Sequence, residues 1–185
     1  MVYCFLADGF EEIEALGTVD ILRRAGIDVV TASVNGKKTV TGSHGIEVSA
    51  DIETLEDNID FSEIECAVYP GGMPGAETLS SGENTVPVSV ARYCYENDIL
   101  LGAICAAPIV LGRIGLLEKK NATCYPGFEN ELKGAVTTSD KVVCDGNIVT
   151  SKGPGCTIDF ALALVSKLKD EATALSIRKA MQCDE

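Results

Sequence analysis

A mostly parallel β-sheet with helices on both faces is the fold class this sequence predicts. Two observations carry the prediction. Short apolar runs of strand length alternate with helical periods along the chain. The first ~30 residues read strand, helix, strand, which is the length of one βαβ unit. The chain has 185 residues, 46% of them apolar. A chain of that size buries roughly 70% of its extended surface, so one domain over residues 1–185 is expected.

The elements follow in order. Val2–Ala7 reads as a buried strand. Phe10–Ala25 reads as a helix, with Ala15, Leu16, Val19 and Leu22 at i, i+1, i+4 and i+7, and Gly26 suits its C-terminus. Ile27–Val34 is the next strand. Lys37–Ala50, rich in Gly, Thr and Val, reads as a hairpin or excursion. Cys66–Tyr69 is a short strand that ends in Pro70-Gly71-Gly72. Val86–Glu96 is helical, Ile99–Ile104 is a strongly apolar strand, and Pro108–Leu117 continues as a helix. Val136–Cys144 reads as a strand, Asp145-Gly146 as a hairpin turn and Ile148–Ser151 as the strand after it. Gly153-Pro154-Gly155 breaks the chain before a helix over Thr157–Lys167, and a last helix spans roughly Glu171–Met181. Such alternation places helices on both faces of the sheet.

Composition excludes several functions. Fifteen Lys and Arg against 28 Asp and Glu leave a net charge of −13, which repels phosphate backbones and anionic lipid, so neither nucleic acid nor membrane is an expected partner. No apolar run approaches the roughly 18 residues of a membrane span. Met1–Phe10 lacks a basic region and a cleavage site, so a cytoplasmic location is expected. The eight Cys form no C-x-x-C pair, and most lie in or beside apolar stretches, as buried free thiols do. His44 is the one histidine, which removes H-E-x-x-H zincins and His-rich sites. No metal and no cofactor is expected.

Three strand ends carry unusual residues, and sites in open α/β sheets form at the carboxyl ends of strands. In the first, Leu100–Ile104 runs straight into a helix with Cys105 at the junction and Pro108 in the first turn. A thiol there faces unpaired N–H groups and the positive end of the helix, so its pKa is expected to fall. The layout resembles a nucleophile elbow with Cys in place of Ser; an inert, buried thiol fits the same residues. In the second, Gly71 and Gly72 follow a strand, where their N–H groups can hold an oxyanion or simply turn the chain. In the third, Glu11, Glu12 and Glu14 crowd the start of the first helix, where acids serve as caps. Glu14 lies three residues after Glu11 and beside Ala15 and Leu16, toward the apolar side. Burial there would raise its pKa and let it donate a hydrogen bond.

Taken together, these blocks resemble the ThiJ/PfpI superfamily, specifically its DJ-one branch of deglycase and glutathione-independent glyoxalase proteins. The likeness runs nearly end to end. It covers Ala7–Gly26, with Glu-Glu-Ile-Glu and then Val-Asp-Ile-Leu-Arg-Arg-Ala-Gly, together with Val68–Ala76, Leu101–Pro108 and Thr150–Ala161. It implies a flavodoxin-like three-layer α/β sandwich, similar to the class I glutamine amidotransferases, and a homodimer. It implies that Cys105 is the reactive cysteine, that Glu14 is its protonated partner, and that the Gly72 and Ala106 N–H groups form an oxyanion pocket. The final helix resembles the extra helix of that branch.

The departures narrow the activity. The protease-like branch has His after the nucleophile, where this chain has Ala106, and the amidotransferases need a late His that is absent. Some relatives carry a His-Pro step near the cysteine; here it is Tyr125-Pro126. With no Cys-His-acid triad, peptide hydrolysis is disfavoured. His44 aligns where relatives often carry Arg beside the pocket, and by resemblance the partner subunit's Arg24 comes close; an ordinary loop position for His44 is equally open. The resemblance implies cofactor-free thiol chemistry on small 2-oxoaldehydes, or on glycated protein side chains. The alternatives are a redox sensor that consumes its own thiol and a chaperone-like dimer without turnover.

Overall fold

The computed structural model describes residues 1–55, 59–83 and 85–183. Strands β1 (Val2–Leu6), β2 (Val29–Ser33), β5 (Ile52–Glu53), β6 (Cys66–Tyr69), β7 (Leu100–Ile104), β10 (Val142–Asp145) and β11 (Ile148–Ser151) form one sheet. Their order is β10-β11-β7-β6-β1-β2-β5. All neighbours run parallel except β10 and β11. A hairpin, β3 (Thr39–Thr41) with β4 (Glu47–Ser49), and a short parallel pair, β8 (Asn121–Ala122) with β9 (Val136–Thr137), lie outside this sheet.

Alternation along each strand builds two cores. In β1, Val2, Cys4 and Leu6 face one layer, while Tyr3 and Phe5 face the other, as the two-residue strand period requires. The first layer holds α1 (Glu12–Arg24), α5 (Thr157–Leu168) and α6 (Glu171–Ala180). The second holds α2 (Gly75–Ser80), α3 (Val86–Glu96) and α4 (Pro108–Arg113). This is the expected three-layer α/β sandwich. Helices α1 and α5 pack side by side; a β carbon on Gly17 would sit 3.0 Å from Thr157 Cγ2. Among the described residues, no helix is long and apolar enough to cross a membrane.

Some expectations need correction. The helix expected over Pro108–Leu117 stops at Arg113. Gly115 takes φ +79°, Leu116 N–H donates to Leu111 O, and Gly115 N–H donates to Gly112 O. That is a Schellman ending, in which left-handed backbone closes the last turn. The single strand expected over Val136–Cys144 is two, β9 and β10, separated at residues 138–141. The β10–β11 turn centres on Gly146-Asn147, because Asp145 pairs with Ile148. Helix α2 and the short strands β5 and β8 carry too few residues to show a period.

Strand order places the site. The chain moves from β1 outward to β2 and β5, then returns to the other side of β1 as β6. Connections part at such a switch point and leave a crevice beyond the carboxyl ends of the strands. The loop after β1, Gly71-Gly72 after β6 and Cys105 after β7 all open there.

Candidate active site

Cys105 is the first residue beyond β7 and adopts φ +64°, a left-handed conformation that costs a non-glycine residue about 1–3 kcal/mol. Backbone bonds hold it. Cys105 N–H donates to Ser151 O, and Tyr125 N–H donates to Cys105 O, each at 2.8 Å. This bend turns the side chain toward the crevice, as a nucleophile elbow does. The residue is 8% exposed.

Glu14 comes from α1 and is fully buried. Glu11 caps the helix: its carboxylate accepts the Glu14 N–H at 2.7 Å. Glu14 Oε2 accepts the Gly71 N–H at 2.8 Å, and the carboxyl also hydrogen-bonds with the Cys105 side chain. Its other oxygen, Oε1, is buried without a hydrogen-bond partner. Gly71 has no room for a side chain. A β carbon there would lie 2.6 Å from Cys105 Cβ, 2.7 Å from Glu14 Oε2 and 3.0 Å from Ala106 N. Gly72, at φ +87°, directs its N–H at the sulfur, as does Ala106.

The electrostatics correct one expectation. Burial raises the Glu14 carboxyl from 4.5 to about 7, against the lowering by the Gly71 N–H and the Cys105 hydrogen bond. The Cys105 thiol is raised, not lowered. Burial is the main cause, the Glu14 charge and hydrogen bond add to it, and the Ala106 and Gly72 N–H groups only partly offset it. Helix α4 is six residues long, so its dipole is small. A raised thiol beside a carboxyl that titrates near neutrality forms a proton-sharing pair. The arrangement can move the thiol proton to Glu14 as sulfur attacks, with two N–H donors beside the reacting atom.

The other candidates each have partners of their own. The His44 ring pairs with Glu12, Nδ1 to Oε2 at 2.7 Å, on a cleft shared with Ile13 and Ile46. Arg24 ends α1 and pairs with Asp20 at 2.7 Å; it lies ten residues from Glu14, about 15 Å along the helix. Tyr125 reaches Cys105 through its backbone, while its ring lies over Gly153. Glu11, Glu12 and His44 bring possible metal-ligand atoms within 4.8 Å of one another. Glu12 is engaged by His44 and Ser43, and Glu11 by the start of α1, a helix end that disfavours cations.

All eight cysteines are free thiols, and five are buried. Burial pushes Cys4 and Cys94 up to about 12 and Cys124 to about 11. What distinguishes Cys105 is its hydrogen bond to the buried Glu14 carboxyl together with two backbone donors, Ala106 and Gly72; Cys124 has only a nearby Glu129 charge and the Phe128 N–H. Of the three acids read as caps of the first helix, Glu11 is the one that caps it; the Glu12–His44 pair was not predicted. The cap follows from the i, i+3 spacing of Glu11 and Glu14, whereas a partner 32 residues away leaves no local signal.

The DJ-1/PfpI family model matches residues 1–167. This chain belongs to that family. Protein DJ-1 homolog B of Arabidopsis thaliana is 41% identical over 175 residues, covering 93% of this chain and 39% of that protein. The chain thus spans about two-fifths of that relative's length. A Pyrococcus abyssi protein named as a deglycase is 31% identical over 165 residues, covering 88% of this chain and 96% of its own. A solved structure of oxidized Toxoplasma gondii DJ-1 superposes with a TM-score of 0.89 at 35% identity, covering 98% of this chain and 97% of that one. The fold is that of the DJ-1/PfpI proteins.

Proposed function

We propose that this DJ-1/PfpI chain is a cysteine-dependent, cofactor-free enzyme acting on small 2-oxoaldehydes, or on the adducts they form with protein side chains. The observation that carries the reading is the Glu14–Cys105 pair, a buried carboxyl with a pKa raised to about 7 hydrogen-bonded to a thiol at a strained strand end. Glu14 takes the thiol proton as Sγ adds to the aldehyde carbon. The Gly72 and Ala106 N–H groups hold the developing oxyanion, which Glu14 then protonates to give a hemithioacetal. Glu14 next removes the proton from the sulfur-bearing carbon and returns it to the adjacent carbon, while the hydroxyl proton on the sulfur-bearing carbon passes to the neighbouring oxygen, so that the first oxygen becomes the carbonyl and the second the 2-hydroxyl. The product is a thioester of a 2-hydroxy acid, which water cleaves to restore the thiol. The name of the Pyrococcus relative supports deglycase-type chemistry of this kind.

We further propose a homodimer. The exposed Ile13 and Ile46 side chains flanking Glu12 and His44 offer it an apolar face, to which the partner subunit's Arg24 would come close.

The test is methylglyoxal consumption and lactate formation without glutathione, with wild type and Cys105→Ala side by side. Turnover lost in the variant is expected; equal rates in both proteins overturn the proposal. A second reading, redox sensing, draws support from the oxidized Toxoplasma relative. It expects mild peroxide to add two oxygens at Cys105 before the other seven thiols, with no turnover in the first assay.

A further inference from the structure

The only histidine holds the helix that carries Glu14. His44 sits at the tip of the β3–β4 hairpin. Its N–H donates to Glu12 Oε1 at 2.7 Å, and its Nδ1 lies 2.7 Å from Oε2. Ser43 Oγ donates to the same Oε2 at 3.3 Å. Glu12 is the first residue of α1, two before Glu14, and is 5% exposed. A side chain at Gly42 would collide with its carboxylate.

The same hairpin grips the segment leading into α1. Ser43 N–H donates to Phe10 O at 2.7 Å, and Gly9 N–H donates to Thr41 O at 2.8 Å. Thr41 N–H donates to the Asp8 carboxylate at 2.9 Å. On the opposite side, Glu11 N–H donates to Gly71 O at 2.9 Å. The first turn of α1 is therefore clamped between the hairpin and the glycine loop whose N–H reaches Glu14.

We propose that Glu12, gripped by His44, is a positioning residue that sets where Glu14 meets Cys105. This rests on the reading of Glu14 as the proton acceptor for Cys105. Burial pushes the Glu12 carboxyl up, but the hydrogen bonds from His44 outweigh it and bring it down to about 2. In turn Glu12, with a smaller contribution from Glu11, raises the His44 ring. The groups facing the ring are Glu12 from α1, Glu11 from its cap and Ser43 from the hairpin; Asp8 lies on the adjoining segment, and in the proposed dimer the partner subunit's Arg24 comes close to the same face. Below its raised pKa the ring is charged and the grip is an ion pair. As pH rises through that pKa the charge attraction is lost, and the Glu12 carboxylate keeps only hydrogen bonds from uncharged donors.

The test is iodoacetamide alkylation of Cys105, read by peptide mass spectrometry across pH, in wild type, His44→Gln and His44→Arg. All three are checked for equal oligomeric state. His44→Gln is expected to slow alkylation at neutral pH by on the order of tenfold, as displaced catalytic groups do, and to remove the His44-linked inflection. His44→Arg keeps the ion pair, so the rate should return to within about twofold of wild type, with only the inflection of the Glu14–Cys105 pair remaining. The assay needs no turnover, so a failed methylglyoxal assay leaves it readable. The proposal is overturned if all three proteins share one rate and profile, or if His44→Arg is as slow as His44→Gln. In proton NMR the single histidine resonance should titrate above the ordinary value in wild type and return toward it in Glu12→Gln; an ordinary wild-type titration also overturns it.

Discussion

Glu14→Gln is expected to stabilise the protein while silencing its thiol, and the size of the effect follows from burial. The carboxyl is fully buried, and its folded pKa of about 7 stands above the ordinary 4.5 of the unfolded chain. Below the lower value both states hold the proton and nothing is lost. Between the two, the unfolded chain releases a proton that the folded state keeps, so native stability falls as pH rises. Above about 7 the deficit is complete, at about 3 kcal/mol. Glutamine keeps the shape and can still accept the Gly71 N–H, but it cannot ionise. Its amide hydrogens lack an assured acceptor, a cost of about 1 kcal/mol. The variant should thus be near or slightly below wild type in stability near pH 4, and more stable by about 2 kcal/mol near pH 8. Urea unfolding of both proteins across that range measures the difference. A difference that stays flat with pH, or moves against the variant as pH rises, refutes a buried carboxyl that resists ionisation.

Two further substitutions probe the frame. Gly71→Ala forces a β carbon against Cys105 Cβ and Glu14 Oε2; it should cost about 1–3 kcal/mol by overpacking and suppress Cys105 alkylation, so a wild-type alkylation rate would contradict the close approach. Phe160→Ala empties the layer beneath Gly102, where a β carbon would lie 3.0 Å from the Phe160 ring. About 3–5 kcal/mol should be lost in denaturant unfolding, and a loss below 1 kcal/mol would mean that the α5 layer collapses to fill the space.

The sequence made the frame legible because its strands are buried on both faces. Cys66–Tyr69 has the predicted bounds because it is an unbroken apolar run, as central parallel strands are, and Ile148–Ser151 because the Asp145-Gly146 turn signal and Gly153 mark its ends. Helix α1 is shorter at both ends than expected: Glu11, not Phe10, opens it as its cap, and Ala25 is the residue that closes it. The convergence of Glu14, Gly71, Gly72, Cys105 and Ala106 was also readable, because each follows or opens an element at the same edge of the sheet. Three features were not. Helix α4 ends early through backbone geometry at Gly115 that no apolar period reports. The direction of the Cys105 pKa depends on the depth of burial and on Glu14, 91 positions away in sequence; a rule for helix ends sees neither. The Glu12–His44 pair joins a helix to a hairpin tip across 32 positions, and only the folded chain brings them together.

The central claim is that Cys105 becomes nucleophilic by passing its proton to Glu14, and not by ionising unaided. The most direct measurement is the pH dependence of Cys105 alkylation in wild type and Glu14→Gln. The wild-type rate should rise with a midpoint near 7, where the pair releases its first proton. The variant should show no rise there and stay slow until strongly alkaline pH, as a buried thiol without a base does. A Glu14→Gln protein that alkylates as fast as wild type at neutral pH, or faster, would place the activation in the backbone donors alone and contradict the account.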